Sequence, residues 1–183
     1  MRATKNLEED HVHILKLTEV MEMVSSMENP VPDHVERIIG LIRNFADGLH
    51  HAKEENLLFP LMIKKGFSAQ NGPVAVMLAD HSQGREYVKT MTEGVSMLRE
   101  GNPQGIQLIR SGMVGYIELL RNHIAKENNV LFRMADQVIS DEEDKVLMEE
   151  FKRIDYKVVG DTYSSEHVSR INELTEIYLN TKK

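Results

Sequence analysis

The sequence predicts an all-α protein, an antiparallel four-helix bundle with one or two additional C-terminal helices. Three observations lead there. Glycine and proline fall between long segments of helical period, at ENPVP (28–32), KKGFSAQNGP (64–73) and EGNP (100–103). No segment sustains the period-two alternation of a half-buried strand. The connections are short, which favours antiparallel neighbours in a bundle.

The elements follow in chain order. A first helix spans about 4–27 and a second about 33–64, the latter ending where Lys64 and Lys65 precede Gly66. Pro60 is expected to kink or end the second helix early, because it removes a backbone donor. Third and fourth helices span about 73–100 and 103–136, with Pro73 and Pro103 suited to a first turn, where a missing N–H costs nothing. In the tail, Ser140 and Glu143 form a capping-box pattern ahead of Val146, Leu147, Phe151 and Ile154, which predicts a fifth helix. Val168, Ile171, Leu174 and Tyr178 repeat at helical spacing and predict a sixth. The bundle is assigned to 1–138, and 139–183 to a helical extension packed on the bundle or on a partner subunit, which leaves a homo-oligomer through these helices open.

Composition narrows the chemistry. With 41% hydrophobic and 28% charged residues the chain is in the ordinary globular range. A net charge of −7 without a dense Lys/Arg cluster offers nucleic acid no phosphate-tracking face. No apolar run approaches the ~20 residues of a membrane span, and MRATKNLEEDH carries no secretory h-region, so a cytoplasmic protein without a membrane partner is expected. The absence of cysteine leaves nitrogen and oxygen as the strong metal donors.

Each long helix has an inward stripe, read by steps of three and four residues. The second runs Ile39, Ile42, Ala46, Leu49, His50, Glu54, Leu57, Leu61, and the fourth runs Ile109, Met113, Ile117, Leu120, His123, Glu127, Leu131. His11 stands between Leu7 and Ile14 on the first, and His81 follows Met77 and Leu78 on the third. An internal repeat relates the two halves: HHAKEENLLFPL (50–61) aligns without gaps on HIAKENNVLFRM (123–134), with seven of twelve positions identical. His50 and Glu54 recur as His123 and Glu127, whereas His51 becomes Ile124 and Glu55 becomes Asn128, so His50 and Glu54 are read as the inward pair and His51 as a solvated neighbour.

Buried carboxylates must be neutralised, paired or coordinated, and the stripes show no nearby lysine. Four histidines and two glutamates divide into two metal ions, each holding two nitrogens and sharing both glutamates. Iron, manganese and zinc are all admissible on ligand type. Whether His51, His167, Tyr87 or Tyr116 completes the coordination stays open, with His13 and His34 read as surface residues.

The motifs DHVHIL, HHAKEENLLFP, MLADHSQGR and HIAKENNVLF together resemble the hemerythrin-like, or HHE cation-binding, proteins over about residues 4–136. That resemblance implies a four-helix bundle with a non-haem di-iron centre and a bridging oxo or hydroxo group. It carries the metal ligands onto His11, His50, Glu54, His81, His123 and Glu127, with the glutamates bridging. Oxygen-carrying members have a further histidine one turn after that of the third helix, where this chain has Arg85, which implies a four-histidine centre with more open ions. The implied ligand is O2, for sensing, delivery or storage. Reduction of nitric oxide or peroxide is the enzymatic alternative. A role as iron donor or sensor is a third reading, since GPVAVMLADH and HIAKENNVLF also resemble di-iron proteins that repair iron–sulfur clusters.

Overall fold

The computed structural model describes residues 1–159 and 163–180, and among these it contains helices and no strand. Helix α1 is Ala3–Ser26. Helix α2 covers 32–64, α3 is Gly72–Arg99, and α4 covers 105–138. Two further helices follow, α5 (Asp141–Val159) and α6 (Tyr163–Tyr178). The all-α bundle with added C-terminal helices is therefore the architecture observed.

The ends follow local chemistry. After α2, Gly66 takes a left-handed φ of 103° and the N–H of Phe67 donates to the Met62 carbonyl at 3.2 Å; after α3, Gly101 takes φ 83° and Asn102 donates to Met97 at 2.8 Å. These are matching C-terminal caps that only glycine adopts without strain. The capping box of α5 forms as its spacing predicts: the Ser140 N–H donates to Glu143 and the Glu143 N–H to the Ser140 hydroxyl. Pro103 lies in the turn ahead of α4, outside its first helical turn.

Pro60 neither ends nor breaks α2, which runs on to Lys64. Instead the winding changes. Residues Ile42–His51 and Glu54–Leu58 are π-helical, as are Glu127–Leu131 in α4. In both helices the wide turn starts at the glutamate of the repeated motif, with Phe59 donating to the Glu54 carbonyl and Phe132 to that of Glu127. The same turn forms in α4 with Arg133 in place of Pro60, so the wider i→i+5 bonding goes with the repeated motif, and α2 simply continues past the missing donor.

Two apolar clusters fill the bundle. One gathers Ile14, Met21, Phe45, Leu49, Met91, Ile109 and Met113, the other Leu7, Leu58, Phe59, Met62, Met77, Leu131 and Phe132. The histidines and glutamates of the stripes lie where the two clusters meet along each long helix. Helix α6 joins the first cluster through Ile171 and Leu174, and α5 joins the second through Leu147 and Phe151. Complete burial of one such side chain stabilises by about 1.5–3 kcal/mol, so both C-terminal helices are held by this chain's own core. Among the described residues no helix is long and apolar enough to cross a membrane.

Candidate metal centre

The period of each helix brings its polar residues to one level of the bundle. His11, His50, Glu54, His81, His123 and Glu127 are all buried, the two glutamates completely. The histidines meet in pairs: His11 Nε2 is 3.0 Å from His50 Nε2, and His81 Nε2 is 3.2 Å from His123 Nε2. The carboxylates span the pairs. Glu54 Oε1 is 3.6 Å from His50 Nε2 while Oε2 is 3.5 Å from His81 Nε2. Glu127 Oε2 lies 3.2 Å from both His11 and His123.

None of the four carboxylate oxygens of Glu54 and Glu127 receives a hydrogen bond. Each nearby imidazole uses Nδ1 as a donor to an outer acceptor, so at Nε2 a neutral ring offers a lone pair. Two such lone pairs 3.0 Å apart, beside a bare carboxylate, repel unless a cation draws them together. Two ligand atoms about 2.1 Å from one ion and at right angles to each other would stand at about this separation. The donor atoms form three groups within 4.8 Å among the described residues, the buried sets His11–His50–Glu54–Glu127 and His51–Glu54–His81–His123 and a less buried one, Asp47–His51–Glu55. The residues present therefore fit a metal.

The electrostatics show the same unmet demand. Burial and then repulsion from Glu127 push Glu54 well above the usual carboxylate range. Against the cost of its own burial, Glu127 is pulled well below that range by His123 and His11. Burial and then the neighbouring His11 push His50 down to about 4. Burial also opposes charge on His123, but Glu127 and Asp80 outweigh it and push that imidazole up to about 9.

The hemerythrin HHE cation-binding domain model matches residues 2–135. This chain belongs to that family. It is 35% identical over 126 residues to the iron-sulfur cluster repair protein YtfE of Cronobacter sakazakii, covering 67% of this chain and 55% of that protein. It is 40% identical over 90 residues to the YtfE protein of Yersinia pseudotuberculosis and 39% to that of Yersinia pestis, covering 47% of this chain and 40% of each relative. The chain thus spans about half the length of these curated relatives or less. No solved structure matches it.

Around the HHE residues an outer set of acceptors holds each ring. His50 donates from Nδ1 to Asp10 at 3.4 Å and His123 to Asp80 at 3.3 Å. The lone histidines are held from the opposite half: His11 by Asn128 at 2.8 Å and His81 by Glu55 at 2.7 Å. Fixing Nδ1 in this way fixes which nitrogen faces inward. The aligned pair Glu55/Asn128, which differs between the repeats, therefore does the same work in both. The Asp-His dipeptides and this alignment were the available signals for the outer acceptors.

The structure corrects three expectations. His51 is not a solvated neighbour: it is 7% exposed, and its ring stacks on His81 with centroids 3.7 Å apart. Neighbouring residues of a helix stand about 100° apart, so a face buried widely enough takes both His50 and His51. Ile124, at the aligned position, is also buried, so this position faces inward in both repeats. Next, Lys53 is a buried lysine beside the stripe, 1% exposed, but it is committed to Asp10 at 3.2 Å and Asp155 at 3.1 Å, leaving the glutamates without a cation. Finally, His34 is half-buried, with its Nδ1 2.6 Å from the Tyr178 hydroxyl, where it anchors α6. His167 is buried and stacks on Phe45, apart from the donor groups found among the described residues. A cavity of about 140 Å³ flanks His51 and His81, with Ile42, Val88, Tyr116 and Arg85 among its walls.

Proposed function

We propose that this chain is a non-haem di-iron protein that binds O2, for sensing, delivery or storage. The observation that carries this reading is the pair of donor-less carboxylates, Glu54 and Glu127, each set between two imidazole pairs. His11 and His50 would hold one ion, His81 and His123 the other, with both glutamates bridging and a bridging oxo or hydroxo group completing the link. Family membership favours iron over manganese or zinc, which the nitrogen and oxygen donors also accept. Bound iron supplies redox equivalents and a coordination position for a small molecule.

The protein's own contribution is positional. Asp10, Asn128, Glu55 and Asp80 hold each Nδ1, so every Nε2 lone pair points inward without rearrangement on binding. Large apolar side chains flank the polar level, Phe132 stacking on His11 and Phe59 on His81, which limits water around the carboxylates.

The test is to load the protein with ferrous iron, measure the stoichiometry, and expose it separately to O2, H2O2 and NO while recording the visible spectrum. Two irons per chain and a reversible charge-transfer band with O2 are expected. Repeated turnover of NO or peroxide, with irreversible oxidation by O2, would replace binding with catalysis. Failure to take up iron would overturn the reading altogether. A second reading, service to damaged iron–sulfur clusters, is favoured by the similarity to the iron-sulfur cluster repair proteins YtfE. Its test is whether the iron-loaded protein reactivates an enzyme with an oxidised cluster.

A further inference from the structure

Five buried imidazoles, not four, border this centre. In His11, His50, His81 and His123 the outer nitrogen is held by a carboxylate or carboxamide, and His51 is built the same way, donating from Nδ1 to Asp47 at 3.2 Å. Asp47 is itself fixed by two N–H groups of Arg85, at 3.0 and 2.7 Å. Arg85 also donates to Glu55, the acceptor of His81, at 2.7 Å. One guanidinium thus sets the carboxylates that aim two stacked rings, and His51 joins Glu54, His81 and His123 in one donor group within 4.8 Å. A histidine that served only as packing would not need its far nitrogen fixed by an acceptor that is itself clamped.

The geometry points to His51 as a fifth nitrogen ligand, held by the ion that His81 and His123 share, so that the centre is unequal and its open position lies on the ion held by His11 and His50. This rests on the two-ion reading above and adds the location of the small-molecule site. Ligand counts carry it: with two carboxylate oxygens and a solvent bridge, three imidazoles bring one ion to six donors, whereas two imidazoles leave the other at five. Arg85, one turn after His81 on α3, orients this added donor through Asp47.

The experiment counts imidazoles. X-ray absorption on the iron-loaded wild type should give 2.5 imidazole nitrogens per iron, and H51A should give 2.0 or lose one iron, with release of the second iron to a chelator at least tenfold faster. The cavity beside His51 gives a route for added imidazole, which should restore the wild-type count and release rate in H51A, whereas pyrrole, of the same shape but without a donor lone pair, should not. A wild-type count of 2.0 with two irons bound would overturn the inference and leave the two-ion reading standing. So would equal rescue by pyrrole, which marks His51 as packing. Binding of a single iron would sink the two-ion reading, and the loss or retention of one imidazole in H51A would still decide His51. If H51A fails to fold, the wild-type count decides alone.

Discussion

The two hairpins repeat one motif in different surroundings. In the first, Asp10 accepts from His50 and from Lys53, and the lysine is sealed beneath α5 by Asp155 and by the ring of Phe151, 5.7 Å from its ammonium. In the second, Asp80 accepts from His123 and from Lys126, whose side chain is 43% exposed. The first hairpin places His51 beside its ligand pair, the second Ile124. Duplicated residues therefore do not make equivalent sites. What covers them sets the strength of each ion pair, and what stands next to them sets the donor count.

The comparison breaks most sharply if a bridging carboxylate is removed. Glu54→Ala or Glu127→Ala should lower iron content from two per chain to less than one, because each glutamate faces both imidazole pairs. Metal-free Glu54→Ala should resist urea better than metal-free wild type, since a buried carboxylate held above its ordinary range is gone, whereas Glu127→Ala also removes the main partner of the His123 charge and should not. Full iron retention would refute the bridging assignment.

The lysines test coverage. Lys53→Met leaves Asp10 and Asp155 facing each other in a buried setting and should cost about 3 kcal/mol in urea denaturation, whereas Lys126→Met, at an exposed pair, should cost less than about 1 kcal/mol. Equal costs would show that α5 does not seal the first hairpin.

Acidity separates the hairpins more gently. Burial holds His50 at about 4 and, with His81, His51 at about 3, below the ordinary value of 6.5. The unfolded chain takes up these protons first, so metal-free stability is complete above about pH 6.5 and declines toward pH 4. His123, raised to about 9, has the opposite sign: its contribution is complete below about 6.5 and is lost as the pH rises through 9. Denaturation of the metal-free protein across this range should show both limbs. Iron loading should remove the alkaline one, because a ligating His123 is neutral throughout.

The smallest effect is expected at Arg85, which touches no inward-facing atom. Arg85→Ala should weaken iron binding by less than the ~10-fold typical of a direct outer partner, read by competition with a chelator.

Much of the centre was legible because an α-helix repeats its faces at three and four residues. That period alone brings His11, His81, His50 with Glu54, and His123 with Glu127 inward. His51 escaped it because the buried face is wide enough to take two neighbouring residues, and the apolar Ile124 at the aligned position was the only local sign of that width. Lys53 escaped it because its burial is supplied by Asp155 and Phe151, about a hundred residues away in the chain.

By itself the sequence determined the all-α class, the paired ligand motifs and the donor chemistry, since these depend on periodicity, spacing and the identity of side chains. Only the tertiary structure decided that a fifth imidazole faces the centre and that one lysine is sealed while its repeat partner is wet. Both depend on how wide a face is buried and on which distant helix covers it, and neither is a property of any short stretch of chain.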